Sequence, residues 1–243
     1  MSKAAAVFGG GGSLMDAVEK AVNTIEDDPN IQSVGYGGLP NADGVVELDA
    51  AIMDGTRHRA GSVCNLHTIK NPISVARAIM DNTHHTTMAG DGALQFAREM
   101  GFKSTQLLTP KSLAAWQGWK RDPSHHTYWL PGREPRTAVN HDTVGLLGYD
   151  GKGHVVSGCS TSGLAWKIPG RVADSPLVGC GIYADDNIGA ATATGDGDVM
   201  TNYCTSFFIV MLMARLSPQE ACEECLRHMA RTDPQSTATQ AGV

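Results

Sequence analysis

The chain has 243 residues, of which 42% are apolar and 6% aromatic, with 28 glycines and a formal net charge of −6. This length buries a sizeable core in one or two domains, and the glycine content suits a sheet-rich protein with many tight turns. The acidic balance argues against a nucleic acid or a membrane as partner, and no apolar run reaches the roughly 18–20 residues that cross a bilayer.

In chain order, the first eight residues lack a full signal-peptide apolar region before Gly9-Gly10-Gly11-Gly12 interrupts them, so the expected compartment is the cytoplasm. That glycine run has neither a preceding strand nor the Lys-Ser/Thr of a phosphate-binding loop, and nucleotide binding is not expected. Ser13 and Asp16 start a helix with Leu14, Val18, Val22 and Ile25 on one face, ending before Pro29. Residues 33–38 and 45–53 read as strands around a turn at Asn41-Ala42-Asp43-Gly44. Short helices follow over 72–80 and 93–100. From 103 to 140 the pattern weakens, with Pro110, Pro123, Pro131 and Pro135 punctuating it, and a mobile linker is predicted.

The second half predicts strands at 143–149 and 154–161 around the turn Asp150-Gly151-Lys152-Gly153, then strands at 177–183 and 188–194. Residues 198–216 read as one long apolar helix. Ser217-Pro218-Gln219-Glu220 combines a cap, an N1 proline and a capping-box glutamate, starting a last helix that runs to about Met229. This order fits an α+β protein in which a sheet-on-sheet core is covered by helices; a parallel Rossmann sheet would alternate strand and helix throughout. Cys222-Glu223-Glu224-Cys225 is half a zinc site with no second pair, and within a helix it reads as two small core residues, so no metal is expected. The adjacent pairs His84-His85 and His125-His126 diverge on any regular backbone and read as solvated loops.

The stretch that carries chemistry is His141-Asp142-Thr143-Val144-Gly145. A threonine hydroxyl is a poor nucleophile until a base takes its proton. A chain that cuts itself just before a threonine supplies that base, because the freed α-amino group titrates near ~7.7–8.0 on the same residue. Asp142–Thr143 is then the bond that breaks; alternatively the stretch is a polar loop entering a strand. In Gly170-Arg171-Val172-Ala173-Asp174-Ser175-Pro176, Arg171 offers a fork for a carboxylate and Asp174 an acceptor for an ammonium, the two charges of an amino-acid head group. The same two residues also make an ordinary surface ion pair in a turn. In Ala193-Thr194-Gly195-Asp196-Gly197-Asp198 the glycines expose backbone N–H groups that suit an oxyanion, while Asp196 or Asp198 serves equally as a helix cap. Ser160-Thr161-Ser162-Gly163 brings hydroxyls to a strand end, to orient the amine or simply to form a turn.

In order and spacing these segments, with Tyr183-Ala184-Asp185-Asp186, resemble the β-subunit of the glycosylasparaginase (aspartylglucosaminidase) family of N-terminal nucleophile hydrolases, within the asparaginase 2 group. Gly12-Ser13-Leu14-Met15-Asp16-Ala17-Val18-Glu19, Ser33-Val34-Gly35-Tyr36-Gly37-Gly38 and Leu48-Asp49-Ala50-Ala51-Ile52-Met53-Asp54-Gly55 resemble its α-subunit. The resemblance implies a four-layer αββα sandwich and self-cleavage into an α-chain of residues 1–142 and a β-chain of residues 143–243, together one structural domain. It implies Thr143 as nucleophile, with Thr161 beside it, and Thr194 and Gly195 at the oxyanion. Arg171 and Asp174 would hold the substrate head group, together with Thr194, Gly195 and Gly197. The implied substrate is a small molecule, N4-(β-N-acetylglucosaminyl)-L-asparagine, with no cofactor. The implied assembly is an α/β heterodimer that pairs into a dimer of heterodimers, in a lysosome or periplasm.

Plant-type L-asparaginases and isoaspartyl peptidases share the Arg and Asp clamp; His141-Asp142 before Thr143, with Asp198, favours the glycosylasparaginase branch. Family members also carry a strand before the Gly-Gly-Ser helix and further strands after the last helix. Residues 4–12 are too short and small-residued for the first, and the chain stops at Ala241-Gly242-Val243, where the later ones would start. The expectation is a sandwich truncated at both ends with unpaired edges, and the alternative to an enzyme is an inactive fragment.

Overall fold

The computed structural model of the chain describes residues 2–122, 142–232 and 241–242. His125-His126, His141 and the later part of the expected linker lie outside the described residues. Helix α1 (Ser2–Gly9) precedes α2 (Leu14–Glu26), which starts as its sequence predicts. Ser13 Oγ accepts from the Asp16 N–H at 3.1 Å and Asp16 Oδ2 accepts from the Ser13 N–H at 3.0 Å. Residues 33–38 are not a strand. Gly35 sits at φ 58° where an added Cβ would strike the Glu26 backbone, and the Tyr36 N–H donates to the Glu26 carbonyl at 2.7 Å. Spaced glycines here mark close backbone approach, which a period-2 pattern imitates.

The turn at Asn41–Gly44 forms as predicted: the Asn41 side-chain oxygen accepts from the N–H groups of Asp43 and Val45. It leads into β1 (Leu48–Asp54), buried along its whole length, and β2 (Arg59–Leu66), which the sequence did not reveal because Arg59, Gly61 and Asn65 break its apolar pattern. Helix α3 (Pro72–Asn82), the short β3 (Thr87–Ala89) and α4 (Gly90–Glu99) follow. The expected linker contains a helix, α5 (Pro110–Arg121). Pro110, read as a breaker, occupies its first turn, and the Thr109 hydroxyl accepts from the Ser112 N–H. Helix α5 is pinned by Trp116 Nε1 to the Ala42 carbonyl at 3.2 Å and by Trp119 stacked on Trp166 at 5.4 Å.

Beyond residue 142 come β4 (Val144–Tyr149) and β5 (Val155–Thr161), as predicted. The next two strands are shorter than predicted, and the first is also displaced toward the C-terminus: β6 (Ile182–Asp185) shares only residues 182 and 183 with the expected 177–183, while β7 (Gly189–Thr192) lies within 188–194 and is followed by the two-residue β8 (Thr194–Gly195). The single long helix is in fact two, α6 (Gly197–Asn202) and α7 (Thr205–Met213), broken at Cys204 with φ 47°. The break lets the N–H groups of Ser206 and Phe207, at the start of α7, reach the carbonyls of Cys180 and Gly179. Helix α8 (Pro218–Thr232) starts at the predicted cap, where Ser217 and Glu220 bond reciprocally, and β9 (Ala241–Gly242) pairs with β8. Cys225 is buried in α8 and Cys222 half-buried, while His84 and His85 are exposed.

The main sheet has the order β3-β2-β1-β5-β4, antiparallel except for the β2–β3 pair. On one face Ala50, Ile52, Val63 and Val156 pack with α2 and α3 around Leu14, Val18, Ile73 and Ile79. On the other, Ala51, Met53 and Cys159 pack against Ile182 and Ala184 of the β6–β7 pair. Helices α7 and α8 cover Ala191 of that pair through Ile209, Val210 and Ala221.

Glu26, fully buried, ties this arrangement together. One carboxylate oxygen accepts from Ser160 Oγ (2.7 Å) and the Ile73 N–H (3.0 Å), the other from Asn23 (2.9 Å) and Asn71 (3.2 Å). Burial pushes its carboxyl up to about 7 against those four donors. A folded value above the unfolded one means the native state binds the extra proton between about 4.5 and 7, so stability falls as pH rises through that window. Denaturant titrations of wild type and Glu26→Gln from pH 4.5 to 7.5 are expected to diverge by up to a few kcal/mol, with wild type losing ground as pH rises. Parallel curves would refute this.

Candidate active site

The register of the main sheet builds the site. Asp49 of β1 lies opposite Thr161 of β5, and Val144 of β4 lies opposite Ser160, so Thr143 falls opposite Thr161. Directly opposite residues share a face, with neighbours roughly 5 Å apart. Asp49, Thr161 and Thr143 therefore form one row on the face turned toward β6 and β7, and all three line a single cleft with Gly163, Arg171, Asp174, Gly195 and Gly197.

At one end of the row the peptide between Asp142 and Thr143 is held by its neighbours. The Thr143 N–H donates to Asp142 Oδ1 at 2.9 Å. The Thr161 hydroxyl stands 3.4 Å from the Asp142 carbonyl oxygen and 3.5 Å from that of Ser33, and accepts from the Gly163 N–H at 2.9 Å. A hydroxyl donated to the Asp142 carbonyl withdraws charge from it, making its carbon a better electrophile for a hydroxyl on residue 143. Of the neighbouring hydroxyls, Ser160 turns to the opposite face and Glu26, and Ser162 Oγ is buried without a partner.

Arg171 and Asp174 do not form the surface ion pair that their spacing allows. Arg171 Nη2 bonds Asp198 Oδ2 at 3.1 Å, while its Nε is buried and unpartnered. Asp174 is only 4% exposed, and its Oδ2 is likewise buried and unpartnered. Burial pushes the Asp174 carboxyl up to about 6; the Arg171 guanidinium opposes this and Asp198 reinforces it. A cation and an anion on one cleft wall, each with an unsatisfied polar atom, complement the two charges of a zwitterion, since leaving such atoms buried and unpaired costs free energy.

The glycine segment places two of its residues on the wall. Gly195, at φ 134°, and Gly197 line the cleft. An added Cβ on Gly197 would collide with Asp174 Oδ1 and Ala173. Thr194 lies in β8, half-buried, and is not among the residues lining the cleft. The helix cap is Asp196, whose side chain accepts from the Val199 N–H, so Asp198 stays available to Arg171.

Sequence reasoning missed Asp49 and Lys167. Lys167 is 1% exposed in its side chain, with Nζ 3.4 Å from Asp49 Oδ2 and 3.7 Å from Glu47 Oε2. Glu47 in turn accepts from the Asn41 side chain at 2.8 Å and the Gly170 N–H at 3.0 Å. The available signal was a charged residue inside the apolar run of β1, which a central strand tolerates only with a partner. Among the described residues no group of three or more His, Cys, Asp or Glu is placed to hold a metal.

A family model described as Asparaginase (Asparaginase_2) matches residues 1–238. The N(4)-(beta-N-acetylglucosaminyl)-L-asparaginase of Elizabethkingia miricola is 44% identical over 227 residues, which are 93% of this chain and 64% of that relative. A putative enzyme of the same name from Drosophila grimshawi is 38% identical over 92% of this chain and 64% of its own length. The one from Rattus norvegicus is 39% identical over 92% of this chain and 72% of its own. The chain thus spans a little under two thirds of the first two relatives. By the extent of these matches, the chain belongs to the asparaginase family described by that model.

Proposed function

We propose that this chain forms a self-cleaving amidohydrolase that releases aspartate from N4-(β-N-acetylglucosaminyl)-L-asparagine. The observation that carries the proposal is the pair of buried, unpartnered atoms, Arg171 Nε and Asp174 Oδ2, on the wall of the cleft that also holds Thr143. They match an amino-acid head group, and the relatives' names supply the glycosylated side chain.

In the first step the Thr143 hydroxyl attacks the Asp142 carbonyl carbon, which Thr161 polarises. The acyl group moves from nitrogen to oxygen, and water hydrolyses the ester, leaving the Asp142 carboxylate and a free Thr143 α-amine. The amine then takes the Thr143 hydroxyl proton as the oxygen attacks the substrate's side-chain amide carbon. The Gly195 N–H on the cleft wall receives the oxyanion, with Thr194 beside it in β8, and Gly197 keeps the wall close to Asp174. The amine's proton passes to the departing glycosylamine, and water frees aspartate from the ester.

The cut would yield chains of residues 1–142 and 143–243. The β1–β5 ladder joins strands of both chains in one sheet, so they would remain one structural domain as an α/β heterodimer, and two heterodimers would pair. Helices against the outer face of the main sheet, the β6–β7 pair against its inner face and α7 and α8 beyond support a four-layer αββα sandwich. A second substrate class, free asparagine or isoaspartyl peptides, is favoured by the clamp itself, which reads only the head group.

Denaturing gels of the purified chain are expected to show two bands in place of one at 25.6 kDa, and Thr143→Ala a single uncut band. The same variant should lose at least ~10³-fold in amide hydrolysis, and activity surviving it would sink the mechanism. A wild type that stays uncut and inactive for days would support the non-catalytic fragment instead. Because Asp174 binds the ammonium only when ionised, KM for the head group should fall as pH rises through about 6; a flat profile in KM from pH 5 to 7 would remove Asp174 from the clamp. Gly197→Ala should raise KM at least ~10-fold with a smaller change in kcat, since its methyl displaces the Asp174 carboxylate.

A further inference from the structure

Asp49 is a charged wall residue that neither the cut nor the head-group clamp uses, yet the fold distorts itself to hold it. The β1–β2 ladder shifts register between Leu48 and Ala50. Within that irregularity Asn65 takes a left-handed φ of 53°, and its N–H donates to Asp49 Oδ1 at 2.7 Å. Bulges of this kind re-aim groups near functional sites, and a left-handed non-glycine residue persists only where its surroundings require it. On the other side stands Lys167, itself buried between Asp49 and Glu47. Burying three charged groups is unfavourable compared with an apolar wall of the same shape, so stability does not account for them.

Their position does. The row Asp49, Thr161, Thr143 sets the Asp49 backbone roughly 10 Å from that of Thr143, two strand spacings away. At that range, in a cleft where Thr143 is half-buried, a unit charge still acts on a titrating amine, though weakly. We propose that Asp49 and Lys167 are positioning residues whose opposed charges set the protonation of the freed Thr143 α-amine, and so the pH at which it serves as base. The inference rests on the self-cleaving reading above.

Among the described residues, the groups that face this amine are Asp49 from β1, Arg171 and Asp174 from the loop before β6, and Asp142 from the preceding segment. Lys167 stands behind Asp49, and Asp198 of α6 behind Arg171. Carboxylates outnumber cations around it, which favours the ammonium and opposes base catalysis at neutral pH; Lys167 offsets one of them.

The test is the acid limb of kcat, which reports the base in the enzyme–substrate complex and so is separate from the Asp174 ionisation that governs KM. Asp49→Asn, which keeps the shape and removes the negative charge, should move the limb down by roughly 0.5–1 pH unit. Lys167→Met should move it up by a similar amount, and the double variant should return it close to wild type. Should Lys167→Met fail to fold, the Asp49→Asn arm and the double variant decide. An active Asp49→Asn enzyme with an unmoved limb overturns the inference, as does one that is folded by circular dichroism yet no longer cuts itself, which would mark a role in the cut. A wild type that neither cuts nor hydrolyses overturns the self-cleaving reading, and this inference falls with it.

Discussion

The registers of β5 against β1 and of β4 against β5 are the constraint on which the rest depends. With Asp49 opposite Thr161 and Val144 opposite Ser160, odd-numbered residues of all three strands face β6 and β7, and even-numbered ones face α2 and α3. A slip of one residue in β5 would carry Thr161 into the helix layer and leave the Ser160 hydroxyl in the cleft. It would also tear Ser160 from Glu26, leaving a buried carboxylate short of a donor. Apolar and polar terms therefore select the same register: Val156 must meet the helices, Cys159 must meet Ile182, and Glu26 must meet Ser160.

Charge is buried in this protein in two distinct ways. Glu26 is supplied with donors on both oxygens from three separate elements, and its role is to hold the end of α2, the start of α3 and β5 in one place. Arg171 and Asp174 are the opposite case. Each keeps a polar atom out of water with nothing to bond, a free energy that an apolar core would recover and that a zwitterionic ligand would satisfy. Lys167 and Asp49 lie between these cases, paired with each other and set against the cleft wall. The contrast separates charged groups whose polar atoms are satisfied within the fold from those whose polar atoms are not.

Much of the local structure was legible from residues alone. The Ser13–Asp16 start, the Pro72 helix, the hairpin at Asp150–Gly153 and the Ser217–Glu220 start all form where capping and turn chemistry put them, because those signals act within a few residues. The errors have different causes. At residues 33–38 the glycines serve contact with Glu26, at 59–66 the strand is completed by pairing with β1 across a tight turn, and at Pro110 a supposed breaker begins a helix under the local Thr109 cap. Only the break at Cys204 is set by a segment distant along the chain, since the carbonyls that receive the start of α7 come from residues 179 and 180.

By itself the sequence determined which segments stand out, the Asp142–Thr143 step, Arg171 with Asp174 as opposite charges and the glycines around Asp196, because these are short motifs whose chemistry is carried by residue type and spacing. Only the tertiary structure decided that Arg171 turns to Asp198 and leaves Nε free, that Asp174 is buried rather than paired at the surface, and that Asp49 stands in line with the threonines. The physical reason is that burial and register are properties of elements brought together: Asp49, Thr161 and Thr143 are spread over more than ninety residues of chain and become neighbours only when β1, β5 and β4 pair.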